Sequence, residues 1–138
     1  MDRGRLDRRT LLKLGFAGAS TLVLAQAGYA AAVPEEKAPK PEVKDVDIKT
    51  GKEVESMIPG FQKVRLREFT FKPGGRTKAT MENAMICECS QGALQVTQDG
   101  KTFTANKGRV WTCRQRMVEE TVNKGKGAAV MRVFDLLT

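Results

Sequence analysis

The 138 residues contain no histidine. That absence removes the Ser–His and Cys–His pairs that activate many side-chain nucleophiles. It also removes the imidazole that is the commonest protein ligand for metals. Aromatic residues are scarce, with one Trp, one Tyr and six Phe. The basic residues are scattered and no DNA- or RNA-binding signature is present, so nucleic acid is not an expected partner. There is no phosphate-cradling loop either, because Gly74-Gly75 is a turn pair without the rest of such a motif. No internal repeat or low-complexity tract interrupts the region after residue 42.

The chain is 41% hydrophobic and 29% charged, a composition that folds rather than staying disordered. Its formal charge is +8, but residues 1–32 hold five basic and two acidic side chains, so about five of those charges lie beyond them. An excess of that size aids solubility and attracts anions loosely.

Residues 1–32 read as an export signal. Asp7-Arg8-Arg9-Thr10-Leu11-Leu12-Lys13 closes a basic segment, and Leu14 to Ala32 is uncharged and rich in Gly, Ala and Ser. Gly28/Ala30 or Ala30/Ala32 supply small residues for cleavage. The paired arginines followed by Leu-Leu-Lys resemble the twin-arginine signal of bacteria, with Asp7 and Leu11 as departures. A periplasmic location is therefore expected, with no stable membrane span after processing. The apolar run contains Gly15, Gly18 and Gly28 and falls short of a comfortable span of about 20 residues. Residues 33–42 carry Pro34, Pro39 and Pro41 among charges and read as a flexible linker. Removing the signal leaves roughly 105 to 110 residues, enough for one core, and the folded domain is assigned to residues 43–138.

Within that domain the signals are those of short strands. Val43 to Ile48 suggests an edge strand, Thr50-Gly51-Lys52 a turn and Glu53 to Pro59 a helical turn. Phe61 to Phe71 is a strong strand. Its apolar residues change parity between Val64/Leu66 and Phe69/Phe71, which predicts a bulge near Arg67-Glu68 before Lys72-Pro73-Gly74-Gly75 ends it. Met85, Cys87 and Cys89 alternate on a further strand and share one face. Ala93–Thr97 and Lys101–Thr104 form a hairpin over Asp99-Gly100. Arg109 to Cys113 is a strand, and Met117–Val122 with Ala128–Leu137 is expected to be a last hairpin. About eight strands and hardly any helix predict an all-β sandwich or barrel.

Two spacings carry a family resemblance. In the first, Gly74 is followed after five residues by Thr80-x-Glu82, then Met85, then Gly92. In the second, Gly108 is followed after five residues by Arg114-x-Arg116, then Glu119, then Asn123. Together with the Leu94–Lys101 hairpin they resemble the two motifs of a small single-domain cupin. The resemblance runs from about Phe61 to Phe134 and implies a double-stranded β-helix, or jelly-roll barrel. The positions that hold two His, a Glu and a third His in metal-binding cupins hold Thr80, Glu82, Met85 and Glu119 here. The resemblance therefore implies neither the family's usual metal nor the chemistry that depends on it.

Several chemistries remain. Met85, Cys87 and Cys89 on one strand face, with Cys113 or Met117 nearby, suit Cu(I) or less well Zn(II), but a metal-free apolar core is the favoured reading and no cofactor is expected. In an oxidising compartment one disulfide, most readily Cys113 with Cys87 or Cys89, stands beside three free thiols. Glu82 and Glu119 are candidates for acid–base work. Arg114 and Arg116 either pair with Glu119 and Glu120 or hold an anionic ligand. Trp111 reads as core or interface. The leading expectation is an exported cupin-like binding or accessory protein, taking a small molecule or a protein partner at Thr80, Glu82, Met85, Arg114, Arg116 and Glu119. A soft-metal protein using Met85, Cys87 and Cys89 is the alternative, and a metal-independent enzyme using Glu82 and Glu119 the third. A homodimer through an edge strand fits all three.

Overall fold

One long strand, Lys63–Thr80, pairs with different neighbours along its two halves. The computed structural model describes residues 40–138, so the export signal and most of the linker lie outside the described residues. Eight strands follow in order: β1 (Glu42–Glu55), β2 (Lys63–Thr80), β3 (Ala84–Gln91), β4 (Ala93–Gln98), β5 (Lys101–Asn106), β6 (Val110–Cys113), β7 (Val118–Val122) and β8 (Ala129–Leu137). They pair antiparallel in the order β5-β4-β7-β2-β8-β3-β6, with β1 also on β2. The result is the expected all-β jelly-roll barrel, nearly closed.

The first half of β2, Lys63 to Phe71, pairs with β8, and its end, Arg76 to Thr80, pairs with β7. The strand therefore does not end at Pro73-Gly74-Gly75 as its sequence suggests; it turns a corner there. Gly74 has φ +79°, and a Cβ on Gly75 would stand 2.5 Å from the Asp45 carbonyl oxygen. Only glycine lets β2 bend there while β1 crosses so closely. Asn123 holds the corner from the other side. Its backbone exchanges hydrogen bonds with Gly74 and Gly75, and its side-chain amide donates to the Phe71 and Gly127 carbonyls at 3.1 and 2.8 Å.

Three further expectations are corrected. β1 runs through the predicted turn and the start of the predicted helical turn, because an irregularity between Thr50 and Glu53 absorbs the extra β1 residue. The register of β2 on β8 is continuous from Lys63 to Phe71, so no bulge lies at Arg67-Glu68. β7 and β8 do not pair with each other; they pair with opposite halves of β2. The β4–β5 hairpin does form, and its turn residues Asp99 and Gly100 have φ of 45° and 84°. That is the mirror-image turn that matches the twist of the strands.

Between the walls Phe71, Leu94, Val96 and Val133 are fully buried. The Gln98 side chain of β4 reaches β6, its Nε2 donating to the Thr112 backbone carbonyl at 3.0 Å. Replacing Asn123 with Ala should strip partners from three backbone groups at the corner. We expect a loss of about 2–3 kcal/mol, read from the urea midpoint at unchanged slope.

Candidate functional site

The alternation of β2 places Arg65 and Arg67 on the same inward face as Phe69 and Phe71. The apparent change of parity in the sequence is a pair of arginines pointing into the barrel. β8 supplies their counter-ion by the same rule, since Met131, Val133 and Asp135 all face inward. Asp135 is fully buried and is the register partner of Arg65. Arg67 grips both its oxygens, Nε at 2.6 Å and Nη2 at 2.7 Å, and Arg65 Nε adds a contact at 3.0 Å. Two cations thus share one buried carboxylate.

Both arginines border a cavity of about 270 Å³. Thr80, Glu82, Met85 and Glu119 border it too, so the structure brings these four sequence candidates together, with Cys87 beside them. Met81, Phe69, Met131 and Val133 form its apolar walls. Glu82 is exposed at the rim, whereas Glu119 is buried.

Arg114 and Arg116 do not join this site. Both are exposed on the β6–β7 loop, and Arg114 pairs with Asp99 at 2.6 Å, so the expected partnership with Glu119 and Glu120 is replaced. The hairpin turn delivers Asp99 to that loop, and its other oxygen caps the Val118 amide at 3.1 Å.

Glu119 has other partners. Its Oε2 accepts from Cys113 Sγ at 2.8 Å, Gln98 Nε2 at 2.9 Å and Trp111 Nε1 at 3.3 Å, and its Oε1 accepts from Thr121 at 3.3 Å. Trp111, expected as core or interface, is a core residue with its indole N–H turned onto this carboxylate. Cys87 Sγ lies 3.9 Å from Cys113 Sγ, and both thiols are free and buried. Cys87, Cys113 and Glu119 each present one ligand atom, all within 4.8 Å of one another, a group able to hold a metal ion.

The hydrogen bond with Cys87, then burial, then the neighbouring Glu119 carboxylate push the Cys113 thiol well above the usual range. Cys89 is also raised, chiefly by burial. Its Sγ turns away from this group onto the Gln91 and Gly92 carbonyls at 3.4 and 3.5 Å. The three-sulfur set Met85-Cys87-Cys89 is therefore not the one assembled. All three residues do face inward and are buried, but Cys113 and Glu119 are the neighbours of Cys87.

No family model matches the sequence, and no curated protein is significantly similar to it. Solved structures do match. The cupin domain of Schizosaccharomyces pombe Cnp3 is similar at a TM-score of 0.56 and 15% identity, over 76% of this chain and 71% of that one. KdgF from Halomonas sp. is similar at 0.56 and 16%, over 75% and 89%. The cupin domain of an XRE-family transcriptional regulator from Enterobacter cloacae is similar at 0.54 and 13%, over 66% and 95%. The chain therefore has the cupin fold.

The metal set usual in that family does not fit these residues. Thr80 is a half-buried hydroxyl, Glu82 is exposed, Met85 offers only a thioether, and Glu119 alone is a buried oxygen donor.

The sequence reading missed Arg65, Arg67 and Asp135. The signal was unbroken alternation: Arg65-x-Arg67-x-Phe69-x-Phe71 needs no bulge if the arginines point inward. Replacing Asp135 with Asn leaves two guanidiniums without their buried anion. We expect a loss of about 3–5 kcal/mol in denaturant unfolding, with a smaller loss for Arg65→Met.

Proposed function

We propose that this is an exported, cupin-fold binding protein whose barrel takes a small organic carboxylate. The observation that carries the reading is that Arg65 and Arg67 both border the cavity while sharing the single carboxylate of Asp135. With Nε and Nη2 of each engaged by Asp135, Arg67 Nη1 keeps donor capacity for a ligand, while Arg65 Nη1 stands 3.9 Å from the Glu53 carboxylate. The guanidinium fork suits a carboxylate. Phe69, Met81 and Met131 offer a surface for an alkyl body. The volume equals that of roughly nine water molecules, which limits the ligand to a short chain. Glu42 and Glu82 border the same cavity and are exposed, so they favour a monoanion or zwitterion over a polyanion.

Short alkyl carboxylates are expected to raise the melting temperature, and their primary amides are not. Arg67→Lys keeps a charge beside Asp135 but loses the fork, and should weaken carboxylate binding about tenfold or more by calorimetry. Equal shifts from acid and amide would remove the reading.

Export rests on Arg8-Arg9 and the uncharged stretch after Lys13. Replacing Arg8 and Arg9 together with Lys keeps the charge but should trap the full-length precursor inside the cell, scored by fractionation. Processing at the wild-type rate would contradict the twin-arginine route.

A further inference from the structure

We propose that Cys87, Cys113 and Glu119 form a site for a tetrahedral divalent metal of the zinc class, with its fourth position facing the cavity. The site is displaced from the family's usual one and shares only Glu119 with those positions.

Geometry is the first support. Two thiolates bound to a tetrahedral zinc ion at about 2.3 Å lie about 3.8 Å apart, and the two sulfurs here stand 3.9 Å apart. A disulfide would require them to close to about 2.05 Å. Glu119 Oε2 is hydrogen-bonded to Cys113 Sγ at 2.8 Å, closer than the roughly 3.5 Å between sulfur and oxygen corners of such a site, so it has to back away only slightly as the thiol proton leaves.

The surroundings are the second support. Gln98, Trp111 and Thr121 hold the Glu119 carboxylate, as outer partners orient a metal ligand. Gln98 turns its amide nitrogen inward and is fixed that way by the Thr112 carbonyl, so it braces the site without adding a ligand. Cys87 and Glu119 border the cavity, which leaves that side for a water molecule or a ligand atom. The choice of metal follows from the donors: two thiolates with one carboxylate oxygen fit zinc, whereas a cuprous ion would leave the carboxylate unused. On binding, each thiol gives its proton to solvent as its sulfur–metal bond forms, so two protons leave per ion.

The test uses the full chain, purified anaerobically under reducing conditions, stripped of metal and given no organic ligand. Titration with Co²⁺ should saturate at one ion per chain. It should produce a thiolate-to-cobalt charge-transfer band and visible bands of tetrahedral intensity, both bleached by Zn²⁺. Two protons should be released per ion in weak buffer, a reading on the wild-type chain that needs no variant to fold. C87S and C113S should each lose about 100-fold or more in affinity, E119Q about 10–100-fold, and C89S nothing. Azide should shift the visible bands; unchanged bands would overturn the open position. Absence of stoichiometric binding, an octahedral spectrum without the sulfur band, or an equal loss in C89S would overturn the site. Cu(I) binding indifferent to E119Q, with no zinc binding, would overturn the choice of metal. Because no carboxylate is added, this result stands or falls apart from the role of Arg65 and Arg67.

Discussion

Asp135 loses all contact with water, and two arginines from the facing strand answer it. A buried carboxylate is tolerable only when its charge and lone pairs are met at short range. That requirement fixes the register of β8 on β2, because Arg65 is the direct partner of Asp135 and Arg67 lies two residues along. A slip of one residue would turn Asp135 outward and bring Phe134 and Arg132 inside. The same register places β8 against β3, where Met85 faces Asp135 and Cys87 faces Val133. The ion cluster, the cavity wall and the sulfur pair are therefore set by one pairing.

Much of the fold was legible because it follows from alternation and turn chemistry. Asp99-Gly100 announced a hairpin that forms with both residues in the left-handed region. The misreadings share one cause, that a residue type was allowed to decide what the register decides. Gly74 and Gly75 signal a break, but the pairing of β2 with β7 beyond them makes it a corner. Arg65 and Arg67 signal a solvent face, but a carboxylate nearly seventy residues later turns them inward. Such a partner is invisible to a local window. At the site, Met85, Cys87 and Glu119 could be placed by motif spacing and parity. The choice between Cys89 and Cys113 as neighbour of Cys87 depended on how β3 pairs with β6, which no spacing states.

The interior holds two distinct polar groups. On one wall a guanidinium pair faces the cavity with donor capacity left over. Further along the same run of paired strands, on β3 and β6, a thiol pair meets Glu119 of β7 in a group tied together by its own hydrogen bonds. Glu119 holds the motif position that a histidine fills in metal-binding cupins, yet here it contacts sulfur, indole and amide.

The central place of β8 also governs when the barrel can exist. This strand lies between β2 and β3, yet it follows all seven others in the chain. Until it is synthesised, β2 and β3 have no common neighbour, and Arg65 and Arg67 have no buried anion to draw them inward. A nascent chain can close the β4–β5 hairpin early, because its residues are adjacent. It cannot assemble the wall that carries the cavity. Folding thus rests on long loop closures, slow by nature, and the two halves of β2 on either side of Gly74-Gly75 have their β7 and β8 partners together only once β8 is in place.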